Sequence, residues 1–453
     1  MAPNIKLIYY NSRGFGEVIR VLLKYGNIDF EDERIEYAEW PKIKPEMPFG
    51  QLPVYEEDGK RMAQSNAIAR HIAKKVNLHG KSDWEDLEID AIIGAIEDFK
   101  IKLMAVRYES DPDKRTKLKE TVANETLPYY LGKFDDIAKQ NNGHLAVNRI
   151  GQAHISCYFT DIPSKITLHY FDARWTTETV RLLLKYGGIE FEDHRIEKSV
   201  WGDIKPTMPF GHLPVIEADG KKAAQSIAIA RYVAKKVKLI GANDWEDLEI
   251  DAIVDTLNDI KEKLSEIFGE EDEKSKDVLK ETHLKETLPY YFEKLDSMAK
   301  SNNGYLVGKK LTWADFYFTV ACDLYAGIVG SDIVERYPNL VKCAELPNGF
   351  SSLIVPSGLS SDRKWYLSDN IRALCSDSQK RDFVVPKPNE SKLNKKSSGA
   401  TASKVHFSQK RKKKSKMTAQ KKKKIEVKAP QKEKAEIAKR MKVEALDHTI
   451  PKK

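Results

Sequence analysis

The string Trp-Glu-Asp-Leu-Glu-Ile-Asp-Ala-Ile occurs at residues 84–92 and again at 245–253, an offset of 161 residues. Other matches keep that offset. Pro48-Phe49-Gly50 returns as Pro209-Phe210-Gly211, Ala63-Gln64-Ser65 as Ala224-Gln225-Ser226, and Leu127-Pro128-Tyr129-Tyr130 as Leu288-Pro289-Tyr290-Tyr291. The register holds from about residue 7 to 145 without net insertion. Units of this length are whole domains and not solenoid repeats. Whatever the chain folds into, it builds it twice, and 453 residues leave each copy enough chain for its own core.

Within a unit the pattern is mixed α/β first and helical afterwards, an α/β plus all-α class. Ile5 to Tyr10 reads as a strand, and Glu17 to Tyr25 has helical spacing with Val18, Val21 and Leu22 as its apolar positions. Asp58-Gly59 between Leu52–Glu57 and Lys60–Met62 marks a hairpin turn. A helix opens at Ser65 with Ile68, Ile72, Ala73 and Val76 on one face, repeated as Ile229, Val233, Ala234 and Val237. The order is βαβαββα, followed by helices from Trp84 onward. Only the second unit continues into Leu311-Thr312-Trp313-Ala314-Asp315-Phe316, where Thr312 and Asp315 resemble a capping box opening a buried helix. The first unit lacks this after Leu145, so part of its core is expected to lie uncovered.

Charge separates a body from a tail. Residues 391–453 hold 22 basic and 5 acidic side chains, a net of +17, so the other 390 carry −9 of the chain's +8. The Lys410–Lys414 and Lys421–Lys424 blocks, with few apolar neighbours, predict a disordered segment suited to nuclear import or to nucleic-acid binding, RNA or DNA, through phosphate contacts without sequence choice. Cys157, Cys322, Cys343 and Cys375 are scattered, which argues for a reducing compartment and against a disulfide scaffold or structural zinc site. No apolar run reaches the roughly 18 residues of a membrane span. A cytoplasmic location, with a nuclear fraction through the tail, is expected.

Five motifs carry a resemblance. They are Tyr9-Tyr10-Asn11-Ser12-Arg13-Gly14, Trp40-Pro41-Lys42-Ile43-Lys44-Pro45, Met47 to Val54, Gln64 to Arg70, and Thr312-Trp313-Ala314-Asp315-Phe316. Together they resemble the sigma-class glutathione transferases, a class that includes glutathione-dependent prostaglandin D synthase. The resemblance covers about 1–145 and 165–345. It implies thioredoxin-like N-terminal domains at 1–80 and 165–241, a truncated helical domain at 81–150, a linker at 151–164, a second helical domain at 242–345, and a tail at 346–453. It also implies glutathione as co-substrate, no metal, a hydrophobic electrophile as second substrate, and a dimer. Sequence leaves open whether the units pair within one chain as a pseudo-dimer or make a homodimer through unit two. The short linker and the missing helices of unit one favour pairing between chains.

Conjugation needs a thiolate, and a free thiol has a pKa of roughly 8.5, so one hydroxyl donor aimed at sulfur favours S⁻. The candidates are Tyr9, Tyr10 and Ser12, whose counterparts are Tyr170, Phe171 and Ala173. Only Tyr9/Tyr170 keeps a hydroxyl in both units, and strand alternation turns Tyr10/Phe171 toward the core. No cysteine occurs in residues 1–150, which excludes a thiol-based site there. By resemblance, Leu52-Pro53 and Leu213-Pro214, with Gln51 and His212 before them, form a cis-proline turn that pairs with the cysteinyl backbone. Gln64-Ser65 and Gln225-Ser226 stand at a helix start suited to the γ-glutamyl carboxylate, where the Ser would also serve as an N-cap. Trp40 and Lys44, with Trp201 and Lys205, match positions that hold the glycine end. Asp98 and Asp259 match an acidic residue reaching the γ-glutamyl ammonium across the dimer interface. Near the tyrosine the units differ: Arg13-Gly14-Phe15-Gly16 becomes Arg174-Trp175-Thr176-Thr177, and the bulk of Trp175 is expected to occlude or reshape that side of the site.

Overall fold

A computed structural model describes residues 4–146, 165–172, 177–270, 272–329 and 333–348. The linker, the 173–176 loop with Trp175, and nearly all of the tail lie outside the described residues, as do Cys157 and Cys375. Both repeats belong to one compact unit, Met1–Lys380.

The first repeat runs β1 (Ile5–Tyr10), α1 (Gly16–Tyr25), β2 (Glu31–Ile35), α2 (Trp40–Ile43), β3 (Val54–Glu57), β4 (Lys60–Ala63) and α3 (Ser65–Lys75). The helices α4 (Asp83–Tyr108), α5 (Pro112–Thr121) and α6 (Leu127–Gln140) follow. Its sheet has the order β2-β1-β3-β4, with β1 parallel to β2 and antiparallel to β3. The second repeat matches it with β5 (Ile166–Phe171), α7 (Thr177–Tyr186), β6 (Glu192–Ile196), α8 (Trp201–Ile204), β7 (Val215–Ala218), β8 (Lys221–Ala224) and α9 (Ser226–Lys236). It continues through α10 (Asp244–Gly269), α11 (Glu273–Thr282) and α12 (Leu288–Ser301), then adds α13 (Trp313–Val329) and α14 (Pro338–Asn348).

Local chemistry accounts for these boundaries. Asp58 and Gly59 both take positive φ, 50° and 79°, as a tight hairpin requires. The repeated nine-residue string opens α4 and α10, whose first turns are capped by the Ser82 hydroxyl and the Asn243 amide oxygen. Asp315 accepts hydrogen bonds from the Thr312 and Leu306 backbone N–H groups at 2.7 and 2.9 Å, fixing the start of α13. That helix packs on α10 and buries Trp313, Phe316 and Phe318, with Phe316 edge-on to Tyr186 of α7 and Phe318 against Phe292 of α12.

Two expectations need correction. The face of α1 that packs inward is Ile19, Arg20 and Leu23, whereas Val18 and Val21 are exposed. The reason is visible in the second repeat, where α13 lies on α7 and α10. Leu182 and Phe292 are 3% and 0% exposed there; their counterparts Val21 and Leu131 are 57% and 51% exposed. The described part of the first repeat therefore presents a bare apolar face where the second has a core. Tyr10 is also less buried than Tyr9, and packs on Tyr37 and Trp40 at the end of the sheet.

The larger correction concerns pairing: the two repeats pair with each other inside one chain. Arg70 bonds Asp90 at 2.9 Å and Asp251 at 2.8 Å, while Arg231 bonds the same two carboxylates, each at 2.8 Å. This closed, pseudo-two-fold ring is buried between α3, α4, α9 and α10. Burial alone would raise Asp90, but the two guanidinium groups outweigh it and hold the carboxyl at about 2. The Pro-Phe-Gly segments belong to the same contact. A Cβ on Gly50 would meet the Tyr290 hydroxyl at 1.7 Å, and one on Gly211 the Tyr129 hydroxyl at 2.2 Å. Glycine is required at both because a tyrosine of the other repeat presses on its backbone, which itself has positive φ.

Candidate functional site

In the first repeat, β1 delivers Tyr9 to the end of the sheet beside the N-terminus of α1. The Phe15 N–H donates to Tyr9 Oη at 3.0 Å, and the Arg20 guanidinium lies 5.8 Å from the ring centre. With one lone pair so engaged, the hydroxyl proton is free to point outward as a donor. Burial raises the Tyr9 pKa, with Phe15 and Arg20 pulling the other way, so the phenol keeps its proton at neutral pH. Gly16 makes this approach possible, since a Cβ there would lie 2.6 Å from Tyr9 Cδ1.

The second repeat places Thr177 at that position, and the Arg181 guanidinium lies 5.9 Å from the Tyr170 ring centre, much as Arg20 lies from Tyr9. Burial raises the Tyr170 pKa too, while the neighbouring Thr177 hydroxyl and Arg181 oppose it. Tyr170 lines a cavity of about 390 Å³ together with His212, Leu213, Pro214, Gln225 and Ser226. The remaining walls are Asp98, Ile101 and Lys102 from α4 of the first repeat and Lys261 and Glu262 from α10. Leu52-Pro53 and Leu213-Pro214 are both cis.

The two acidic residues cross over between repeats. Asp98 Oδ2 accepts from Gln225 Nε2 at 2.7 Å and from His212 Nδ1 at 3.1 Å. Asp259 Oδ2 accepts from Gln64 Nε2 and Gln51 Nε2, both at 2.8 Å. Gln64 also reaches Gln51 Oε1 at 2.9 Å and the Thr256 hydroxyl at 3.0 Å. Both Gln64 and Gln225 hold positive φ, 81° and 80°, a conformation costing about 1–3 kcal/mol in a residue with a side chain. That backbone precedes α3 and α9 and leaves Ser65 and Ser226 as first helical residues, so neither serine is the N-cap. Neither helix start carries a side-chain cap hydrogen bond.

Not every sequence candidate joins these clusters. Trp201 and Lys205 do not line the 390 Å³ cavity. Trp201 packs edge-on against Phe171 with ring centres 5.4 Å apart, and Trp40 likewise against Tyr10 at 6.1 Å. The Lys44 ammonium lies 5.7 Å from the Tyr290 ring centre. Sequence reasoning missed Ile101, Lys102, Lys261 and Glu262. The signal for the first two was present, since Asp98, Ile101 and Lys102 follow the i, i+3, i+4 spacing of one helix face. Among the described residues no group of three or more His, Cys, Asp or Glu side chains could hold a metal ion, and no helix is long and apolar enough to cross a membrane.

Comparison with known proteins finds relatives for both repeats. The family model for the glutathione S-transferase N-terminal domain matches residues 5–74 and 166–235, and that for the C-terminal domain matches 97–160 and 258–346. The C-terminal match in the first repeat runs past Leu145, beyond the point where the repeat was read as ending. There Tyr158-Phe159-Thr160, outside the described residues, echoes Tyr317-Phe318-Thr319 two residues out of register, which a fixed offset passes over. The chain is 44% identical over 173 residues to a glutathione S-transferase of Anopheles gambiae, covering 38% of this chain and 85% of that one. It is 36% identical over 174 residues to hematopoietic prostaglandin D synthase of Homo sapiens, again covering 38% and 85%. The solved structure of prostaglandin synthase D of Nilaparvata lugens aligns with a TM-score of 0.41 at 40% identity, covering 43% of this chain and all of that one.

Proposed function

Because the chain belongs to the glutathione S-transferase family, we propose that it conjugates glutathione to hydrophobic electrophiles, with Tyr170 and Tyr9 stabilising the thiolate as in the sigma class. The observation that carries this reading is the cavity of the second repeat. A protonated phenol, a cis-proline turn, the Gln225-Ser226 helix start and a cross-repeat carboxylate converge on one space of about 390 Å³. Each element fits one part of glutathione. Tyr170 donates to sulfur, and the backbone at Leu213-Pro214 pairs with the cysteinyl unit. The open N-terminus of α9 takes the γ-glutamyl carboxylate, and Asp98 takes the ammonium. In the first repeat the same parts are Tyr9, Leu52-Pro53, Gln64-Ser65 and Asp259. Lys44 and Lys205 remain candidates for the glycine carboxylate, with Trp40 and Trp201 beside them.

With an aryl halide the sulfur forms a bond to the ring carbon and chloride leaves, so the enzyme supplies only the thiolate and a place for the ring. Stabilising S⁻ by one charge-assisted hydrogen bond is worth about 1.5–3 kcal/mol, roughly a ten- to hundredfold gain in thiolate at fixed pH. The test is conjugation of glutathione to 1-chloro-2,4-dinitrobenzene by the full chain, beside Tyr9→Phe and Tyr170→Phe. The rate falls by about that factor in the variant that carries the working site. A wild-type rate no higher than the uncatalysed one rejects catalysis on this electrophile. Retained glutathione binding would then mark a non-catalytic descendant.

The similarity to hematopoietic prostaglandin D synthases supports a second reading, isomerisation of an endoperoxide by the same thiolate. Release of a rearranged product with glutathione recovered intact distinguishes it from conjugation.

A further inference from the structure

Lys261 stands where two spaces meet. It lines the 390 Å³ cavity that contains Tyr170, and it also lines a void of about 10 Å³, room for about one water, formed by Thr179 of α7 and by Tyr317, Val320, Ala321, Leu324 and Tyr325 of α13. Its side chain is 17% exposed, and its ammonium donates to Asn258 Oδ1 at 2.8 Å and to Glu262 Oε1 at 3.0 Å. An ammonium has three donors, so those two contacts leave one N–H for a ligand. If glutathione takes the parts assigned to it above, the walls left for a second substrate are Ile101, Lys102, Lys261 and Glu262. Two cations and one carboxylate line that part of the cavity.

We infer that the site of the second repeat prefers electrophiles that bear a carboxylate or a similar anionic group on an apolar body, the anion held by Lys261 within the same cavity as the thiolate. This rests on the transferase reading of the same cavity. The preference belongs to one repeat only. In the first repeat the corresponding Lys100 is turned to other partners: it is paired with both oxygens of Glu97 and sits 3.7 Å from the centre of the Phe15 ring.

The test compares kcat/KM for ethacrynic acid, whose carboxylate accompanies an enone, with kcat/KM for the uncharged 1-chloro-2,4-dinitrobenzene. In the first reaction sulfur bonds the terminal enone carbon and a solvent proton completes the α-carbon. Lys261→Met in the full chain is expected to lower the ethacrynate-to-chlorodinitrobenzene ratio at least about tenfold, the loss of one charge-assisted hydrogen bond. Lys261→Arg restores most of the ratio, and Lys100→Met leaves it unchanged. A ratio unaltered in Lys261→Met, or altered equally in Lys100→Met, overturns the inference while leaving the transferase reading intact. Turnover of neither compound by the wild type rejects the transferase reading and this inference with it. A Lys261→Met protein that has lost its fold loses both rates together, and Lys261→Arg then decides: a ratio kept supports the ammonium contact, a ratio lost removes it.

Discussion

Replacing Asp90 by Asn removes one charge from the ring that joins the repeats and leaves Arg70 and Arg231 each short of a partner. The folded carboxyl sits at about 2 against an ordinary 3.8. That difference is worth about 2 kcal/mol at roughly 1.4 kcal/mol per pH unit. Breaking a buried pair by removing one partner costs about 3–5 kcal/mol, and Asn keeps one acceptor, so the expected loss is about 2–5 kcal/mol. Because the folded pKa is depressed, this stabilisation is complete above pH 4 and disappears as pH falls toward 2. The gap between wild type and variant therefore closes in acid. Urea unfolding followed by circular dichroism at neutral pH measures it, with the midpoint compared at equal m. Since the paired halves share one chain, both midpoints stay fixed over a roughly hundredfold range of protein concentration. A loss under about 0.5 kcal/mol, ordinary for a surface substitution, would refute the role given to the ring. A wild-type midpoint that climbs with concentration would refute pairing within the chain.

The uncovered face yields a paired test. Leu182→Ala should cost about 2–4 kcal/mol, while Val21→Ala at the matching position stays within about 0.5 kcal/mol; equal costs in urea unfolding would mean that Val21 is covered. In a Tyr9→Phe background, Asp98→Asn should raise the glutathione KM at least about tenfold, whereas Asp259→Asn, which serves the other site, leaves it within twofold. The reverse ranking would show that the carboxylates do not cross between repeats. For whichever tyrosine is active, Tyr→Phe should move the rate–pH profile about one to two units toward alkali, because thiolate formation then lacks its donor. A profile that falls in height without moving would assign the tyrosine to orientation instead.

Much of this was legible in one sequence because the chain supplies its own comparison. The offset fixed βαβαββα, the hairpin at Asp58-Gly59 and the choice of Tyr9/Tyr170, since each rests on local chemistry that both copies repeat. The inward face of α1 was not legible. Val18 and Val21 are apolar and correctly spaced, and they stay exposed because no helix among the described residues covers them as α13 covers α7. Pairing was misread for a related reason. Linker length and truncation are features along the chain, whereas the Arg70–Asp90–Arg231–Asp251 ring joins residues up to 181 positions apart. Lys261 was hidden because a lysine on a charged helix is the commonest of surface residues, and its significance comes from two cavities that only the folded chain brings together.

A dimer of identical chains must accept every interface substitution twice, once on each side of its axis. Here the axis relates shapes and not sequences, and the two sides have been free to drift apart. Gln225 leans into the space left by Gly94, where a Cβ would come within 2.9 Å of its amide carbon. The counterpart of Gly94 is Asp255, a carboxyl that burial has pushed up to about 7. A self-paired chain carrying that aspartate would have to place two of them near one axis. The fused chain needs only one, and it keeps unlike sites in fixed one-to-one proportion that no exchange of subunits can scramble.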